Sequence, residues 1–206
     1  MRKPGRTHSN DQHVFLNIPF DQKYEPLFVA FIAGISGLGL TPRCVLEVPA
    51  ENRLDRLFRL LKSCGSSIHD LSRVEFTPDP PRCPRFNMPF ELGLAVALTL
   101  SGTPHRWFVF EAHPHRLQKS LSDVNGFDPY IHYGRPEGVL QALLNAFMTT
   151  GTHPRRDKVR KLYENLQEAA EVLKRESPGE TLFTPYHFPT LVMTSLGGAA
   201  ELGLIH

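Results

Sequence analysis

Cysteine is scarce in this sequence and badly placed for cross-linking. Cys44, Cys64 and Cys83 are widely spaced and form no C-x-x-C pair, a pattern that argues for reduced thiols rather than a disulfide frame or a structural zinc site. Charge of one sign is also lacking, since 23 Lys and Arg stand against 21 Asp and Glu, a formal net charge of +2. Such a balance gives no electrostatic case for nucleic acid or a membrane surface as a partner. No run approaches the roughly 20 apolar residues of a membrane span. The basic opening Met1-Arg2-Lys3-Pro4-Gly5-Arg6 leads into no apolar stretch. No signal peptide is therefore expected, and the expected location is cytoplasmic.

What remains is ordinary globular material: 206 residues, 41% hydrophobic and 21% charged, enough to bury a real core. A polar arm over 1–12 precedes an apolar run, 13–18, with strand character. Helical spacing follows over 24–38 (Leu27, Phe28, Phe31, Ile32, Ile35), closed by Gly37 and Gly39. The pattern then predicts a strand at Cys44-Val45-Leu46, a helix over 52–62 and a polar third strand over 65–72. A loop with Pro78, Pro80, Pro81 and Pro84 comes next, then a buried helix to about Ser101. Arg106-Trp107-Phe108-Val109-Phe110 is the clearest strand. It is followed by a short helix over 115–121, a strand over 130–133 and a helix over 138–148. Five strand and helix alternations predict an α/β domain over 13–148, a flavodoxin-like parallel five-stranded sheet with helices on both faces. After a linker over 149–154, helices over 157–175 and 191–205 form a C-terminal helical extension, 149–206. Its surfaces are expected to serve a homo-oligomer or another partner.

In open α/β sheets ligands bind past the carboxyl ends of the strands. Three segments put polar groups there: Asn17, Phe20, Asp21 and Lys23 after the first strand; His69, Asp70, Ser72 and Arg73 after the third; Arg85, Asn87 and Glu91 before the next helix. Each has a plainer explanation. Glu91, just after Pro89, suits the first turn of a helix, where a carboxylate meets the positive dipole end or completes a capping box. Asp70 is placed to close a turn, and Asp21 to cap the first helix. The glycines of Phe31–Gly39 close a helix rather than cradle a phosphate. His113-Pro114-His115 reads as a surface turn, and the Arg155-Arg156-Asp157-Lys158 cluster as a solvated helix start. No metal site is expected.

Ser67-Ile68-His69-Asp70-Leu71-Ser72-Arg73, with Asn87-Met88-Pro89-Phe90-Glu91-Leu92-Gly93-Leu94-Ala95 downstream, resembles the nucleoside 2-deoxyribosyltransferase-like superfamily, related to TIR domains. Val14-Phe15-Leu16-Asn17-Ile18-Pro19-Phe20-Asp21 resembles its first strand and substrate loop, so the likeness covers roughly 13–148. The resemblance implies cleavage or transfer at an N-glycosidic bond of a nucleotide or nucleoside, NAD or a related molecule, as substrate and not cofactor. It implies Glu91 and Asp70 as catalytic residues. Asn87 and Asp70 would hold ribose hydroxyls, Arg73 or Arg85 a phosphate, and Phe20 or Phe86 a base, with Asn17, Asp21 and Ser72 completing the substrate site. A stress or phage-defence role is one expectation of such a fold. A non-catalytic nucleotide sensor and a TIR-like interaction module are the alternatives.

Overall fold

The computed structural model describes residues 9–48, 51–74, 83–124, 126–148 and 154–205. The residues of the expected arm before Ser9, Pro78, Pro80 and Pro81 of the proline loop, and 149–153 of the expected linker lie outside them. Five strands form one sheet: β1 (His13–Asn17), β2 (Thr41–Cys44), β3 (Ser66–Asp70), β4 (Arg106–Glu111) and β5 (Tyr130–Ile131). Their order is β2-β1-β3-β4-β5 and every pairing is parallel, the flavodoxin-like arrangement. The order places β1 beside β3, so both carboxyl ends open at the topological switch point.

Alternation along β1 sorts the two faces. Val14 and Leu16 pack with α1 (Glu25–Gly37) and α5 (Pro136–Ala146), whereas Phe15 packs with α2 (Arg53–Lys62) and α3 (Asn87–Leu100). The short α4 (Arg116–Ser120) joins the second face through Leu117, against Val109 and Leu92. α1 is buried on all sides, every residue from Leu27 to Gly37 being withdrawn from water. The reason is a third layer: α6 (Arg156–Glu176) and α7 (His187–Glu201) lie over α1, and Val159, Leu162, Leu166, Leu191 and Ala199 belong to the same core as Phe28 and Phe31. Gly37 lets α6 approach, because a Cβ there would stand 3.3 Å from Val159. Buried Glu25 ties the layers together, accepting bonds from Lys174 Nζ (3.0 Å) and from the Leu182 amide (2.9 Å). Among the described residues no helix is long and apolar enough to cross a membrane.

Several boundaries differ from those read in the sequence. β2 ends at Cys44, and Val45–Glu47 turns into a 3-10 helix, because the Glu47 carboxylate accepts the Cys44 amide (2.9 Å) and pairs with Arg43 (2.7 Å). Pro42 is tolerated because β2 is an edge strand. β5 stops at Ile131, where Tyr133 and Gly134 take left-handed backbone (φ 56° and 65°). α7 begins at His187, whose amide is accepted by the Thr184 hydroxyl (2.9 Å), and it ends at Glu201.

Candidate active site

The carboxyl ends of β1 and β3 carry the expected polar residues, but sheet geometry divides them between two cavities. Asn17 follows Phe15 in the alternation and faces α2 and α3. Asp70 follows Ile68 and faces α1 and α5.

The first cavity, about 270 Å³, is lined by Asn17, Phe20, Arg53, Arg85, Asn87 and Glu91, with Met88 and Val45 behind. Glu91 has only 5% of its surface exposed. It lies in the second turn of α3, which begins at Asn87 and has no acidic residue in its first turn. The capping explanation therefore does not apply, and Pro89 is the third helical residue rather than the first. Nor does a dipole hold the side chain ionised. Burial pushes its carboxyl up to about 7, opposed by the Arg53 charge. Its carboxylate makes no hydrogen bond among the described residues.

Asn17 is fixed by a buried chain of hydrogen bonds. Its Nδ2 donates to Met88 O (2.9 Å) and to His69 Nδ1 (3.0 Å). The His69 proton then sits on Nε2 and is given to Ser67 Oγ (2.9 Å). The Ser67 hydroxyl donates to His105 Nε2 (2.8 Å), and His105 Nδ1 donates to Cys64 O (2.9 Å). Each group has one direction to donate in, so the chain is self-consistent with both rings neutral. Burial lowers His69 to about 3 and also lowers His105. The polar character of β3 is thus a buried relay, and His69 is spent in it rather than poised as an acid. With both Nδ2 protons committed, Asn17 presents Oδ1 as its remaining acceptor.

Asp70 is wholly buried behind the second cavity. Its Oδ2 accepts the Tyr24 hydroxyl and lies 3.0 Å from His132 Nε2, while Oδ1 accepts the Ser72 amide (2.7 Å). His132 Nδ1 accepts the Gly134 amide (3.0 Å), which puts the imidazole proton on Nε2, toward Asp70. Burial works against the anion, but the bonds from His132, Ser72 and Tyr24 outweigh it and hold the carboxyl below its usual range. Tyr24 rises well above its own, by burial and by the Asp70 charge. Ser72 and Arg73 line this second cavity, not the one that holds Glu91. Gly138 supports the arrangement, because a Cβ there would overlap the His132 carbonyl. Gly138→Ala is expected to displace His132 and to lower stability by about 1–3 kcal/mol, measurable by urea unfolding.

Asp21 stands between the cavities. Its carboxylate lies 3.5 Å from Arg85, which lines the first, and 3.7 Å from Arg73, which lines the second. It makes no capping bond at the turn it precedes, and its buried Oδ1 has no partner among the described residues. Phe20 stacks on Phe183 from the extension (centroids 5.1 Å apart), and Phe86 is 70% exposed. Sequence reasoning missed Arg53, Tyr24 and His132. Arg53 looked like one charge of a solvated helix face, and Tyr24 and His132 gain meaning only through Asp70. An apolar groove of about 810 Å³ between α2 and α3, lined by Leu54, Phe58, Phe90 and Leu94, shares Arg53 with the Glu91 cavity. No protein-family model, curated protein or solved structure matches the chain.

Proposed function

We propose that the Glu91 cavity cleaves or transfers at the N-glycosidic bond of a nucleotide. The observation that carries this reading is a buried carboxylate with no capping task, set in a polar cavity between two arginines and an asparagine acceptor. Breaking a C1–N bond sends the bonding pair to the base nitrogen and leaves oxocarbenium-like charge on the sugar. A carboxylate beside C1 stabilises that charge or captures it, and water or an acceptor base completes the reaction. Arg53 and Arg85 suit a phosphate and Asn17 Oδ1 a ribose hydroxyl. The resemblance of Asp70-Leu71-Ser72 and Phe90-Glu91-Leu92-Gly93 to the nucleoside 2-deoxyribosyltransferase-like superfamily points the same way.

Two features favour NAD or a related dinucleotide. His69 is committed and neutral, so a base that departs uncharged, such as nicotinamide, fits better than one that needs a proton. Arg53 lines both the cavity and the apolar groove, so a phosphate held there leaves a second base free to lie on Phe90 and Leu54.

Incubation with NAD, nucleoside monophosphates and deoxynucleosides, with products separated by mass spectrometry, tests the reading. Release of free base from one of them, lost in Glu91→Gln, is expected. Ionised Glu91 is the active form, so kcat/KM should rise with pH to a plateau above about 7. Arg53→Ala should move that midpoint higher, because the charge that favours the anion is gone. Full turnover in Glu91→Gln would sink the mechanism. Thermal stabilisation by a nucleotide without turnover would replace it with nucleotide sensing.

A further inference from the structure

The second cavity, about 310 Å³, shares no lining residue with the Glu91 cavity. Lys23 enters it from the turn before α1, Arg73 from the segment after β3 and His113 from the segment after β4. Among the described residues no carboxylate belongs to its lining and Lys23 makes no ion pair. Arg73 is held, among the described residues, by the 3.7 Å approach of Asp21, a contact the guanidinium can give up. The floor is polar and fixed. The Tyr24 hydroxyl donates its hydrogen bond to Asp70, and the Ser72 side chain joins the same cluster, bonding to Asp70 and Tyr24. Tyr133 and Gly134 also line the cavity, and left-handed Tyr133 is the kind of strained residue that clusters at ligand clamps.

We propose that this cavity is a second ligand site, which takes the phosphate group of a small phosphorylated molecule. Cationic or protonatable groups from three directions match a phosphate's several acceptor oxygens better than a planar carboxylate. A phosphate at Arg73 competes with Asp21, so Asp21→Asn releases the guanidinium and tightens binding. The site stands independently of any reaction at Glu91.

Calorimetric titration of the full chain tests it, with inorganic phosphate, adenosine 5′-monophosphate and adenosine as probes. Arg53→Ala/Arg85→Ala serves as the background, because it removes both arginines from the Glu91 cavity. That protein is expected to keep binding adenosine 5′-monophosphate. Adding Lys23→Glu and His113→Ala, both surface changes checked by thermal unfolding, should weaken the affinity at least about tenfold, the scale of losing one charge-assisted contact. Asp21→Asn should tighten it severalfold. Inorganic phosphate binding as tightly as the nucleotide assigns the site to free phosphate, and a strong preference for the nucleotide assigns it to a phosphorylated nucleoside; either supports the proposal. It is overturned if the background protein binds adenosine no more weakly than its monophosphate, if it binds neither phosphate probe, or if Lys23→Glu with His113→Ala leaves the affinity unchanged.

Discussion

Asp70→Asn is expected to lower stability by about 3–5 kcal/mol, a large share of what a domain of this size has in reserve. The buried carboxylate has three partners: it accepts the Tyr24 hydroxyl and the Ser72 amide, and His132 Nε2 lies 3.0 Å away. An amide of the same shape turns an N–H toward at least one of them and removes the charge that strengthens all three. The sign with pH is fixed by direction. Asp70 has a folded-state pKa below its usual 3.8, so its stabilisation is fully present above that value and is lost as pH falls toward the folded pKa. Urea unfolding of wild type and Asp70→Asn should differ by several kcal/mol at pH 7 and converge under acid. Tyr24→Phe, which removes one donor and leaves the other two, should cost about 1–3 kcal/mol. The double variant should cost less than the sum, because the two groups share one bond. A loss under 0.5 kcal/mol for Asp70→Asn at neutral pH would refute the structural role.

The fold was legible because local patterns and tertiary needs agree. Strand and helix periods alternate cleanly from His13 to Ala146, and a parallel sheet is the economical way to join them. The burial of α1 was legible too, in hindsight of its composition: between Leu27 and Gly37 Ser36 is the only side chain with a polar group, so no face was available for water. The candidate residues could be named from the sequence, but their partition between two cavities could not. Asp70 and Glu91 both stand at the carboxyl edge, yet a period of two sends Asp70 to the α1 side, while Glu91 belongs to α3 on the other face. Sequence order carries that period, but not which neighbour waits on each face. Tyr24, 46 residues before Asp70, and His132, 62 residues after it, are joined to it only by the folded sheet. The start of α3 was misjudged for a local reason. Pro89 looked like a first residue, but the missing amide of a proline is equally harmless anywhere in the first turn, and the helix begins two residues earlier. That small shift moves Glu91 out of the first turn and removes the plain explanation for it.

Glu91→Gln is expected to push stability and turnover in opposite directions. A carboxyl whose pKa stands at about 7 in the folded state, against an ordinary 4.5, makes the folded chain pay for ionisation. The penalty is absent below about pH 4.5, grows between there and pH 7, and levels off above at about 3 kcal/mol. Glutamine keeps the shape and cannot ionise, so the variant should match wild type near pH 4 and exceed it by about 1–3 kcal/mol at pH 8, read by urea unfolding at both values. Turnover of the substrate found by mass spectrometry should fall on the order of a thousandfold or more, the scale of removing one fixed charge partner of a transition state. A purely structural glutamate would not behave this way, because its removal would cost stability or leave it unchanged across pH. If Glu91→Gln is no more stable than wild type at pH 8, the carboxylate is not held against a desolvation cost. The cavity would then lack the unmet charge that the proposed chemistry uses.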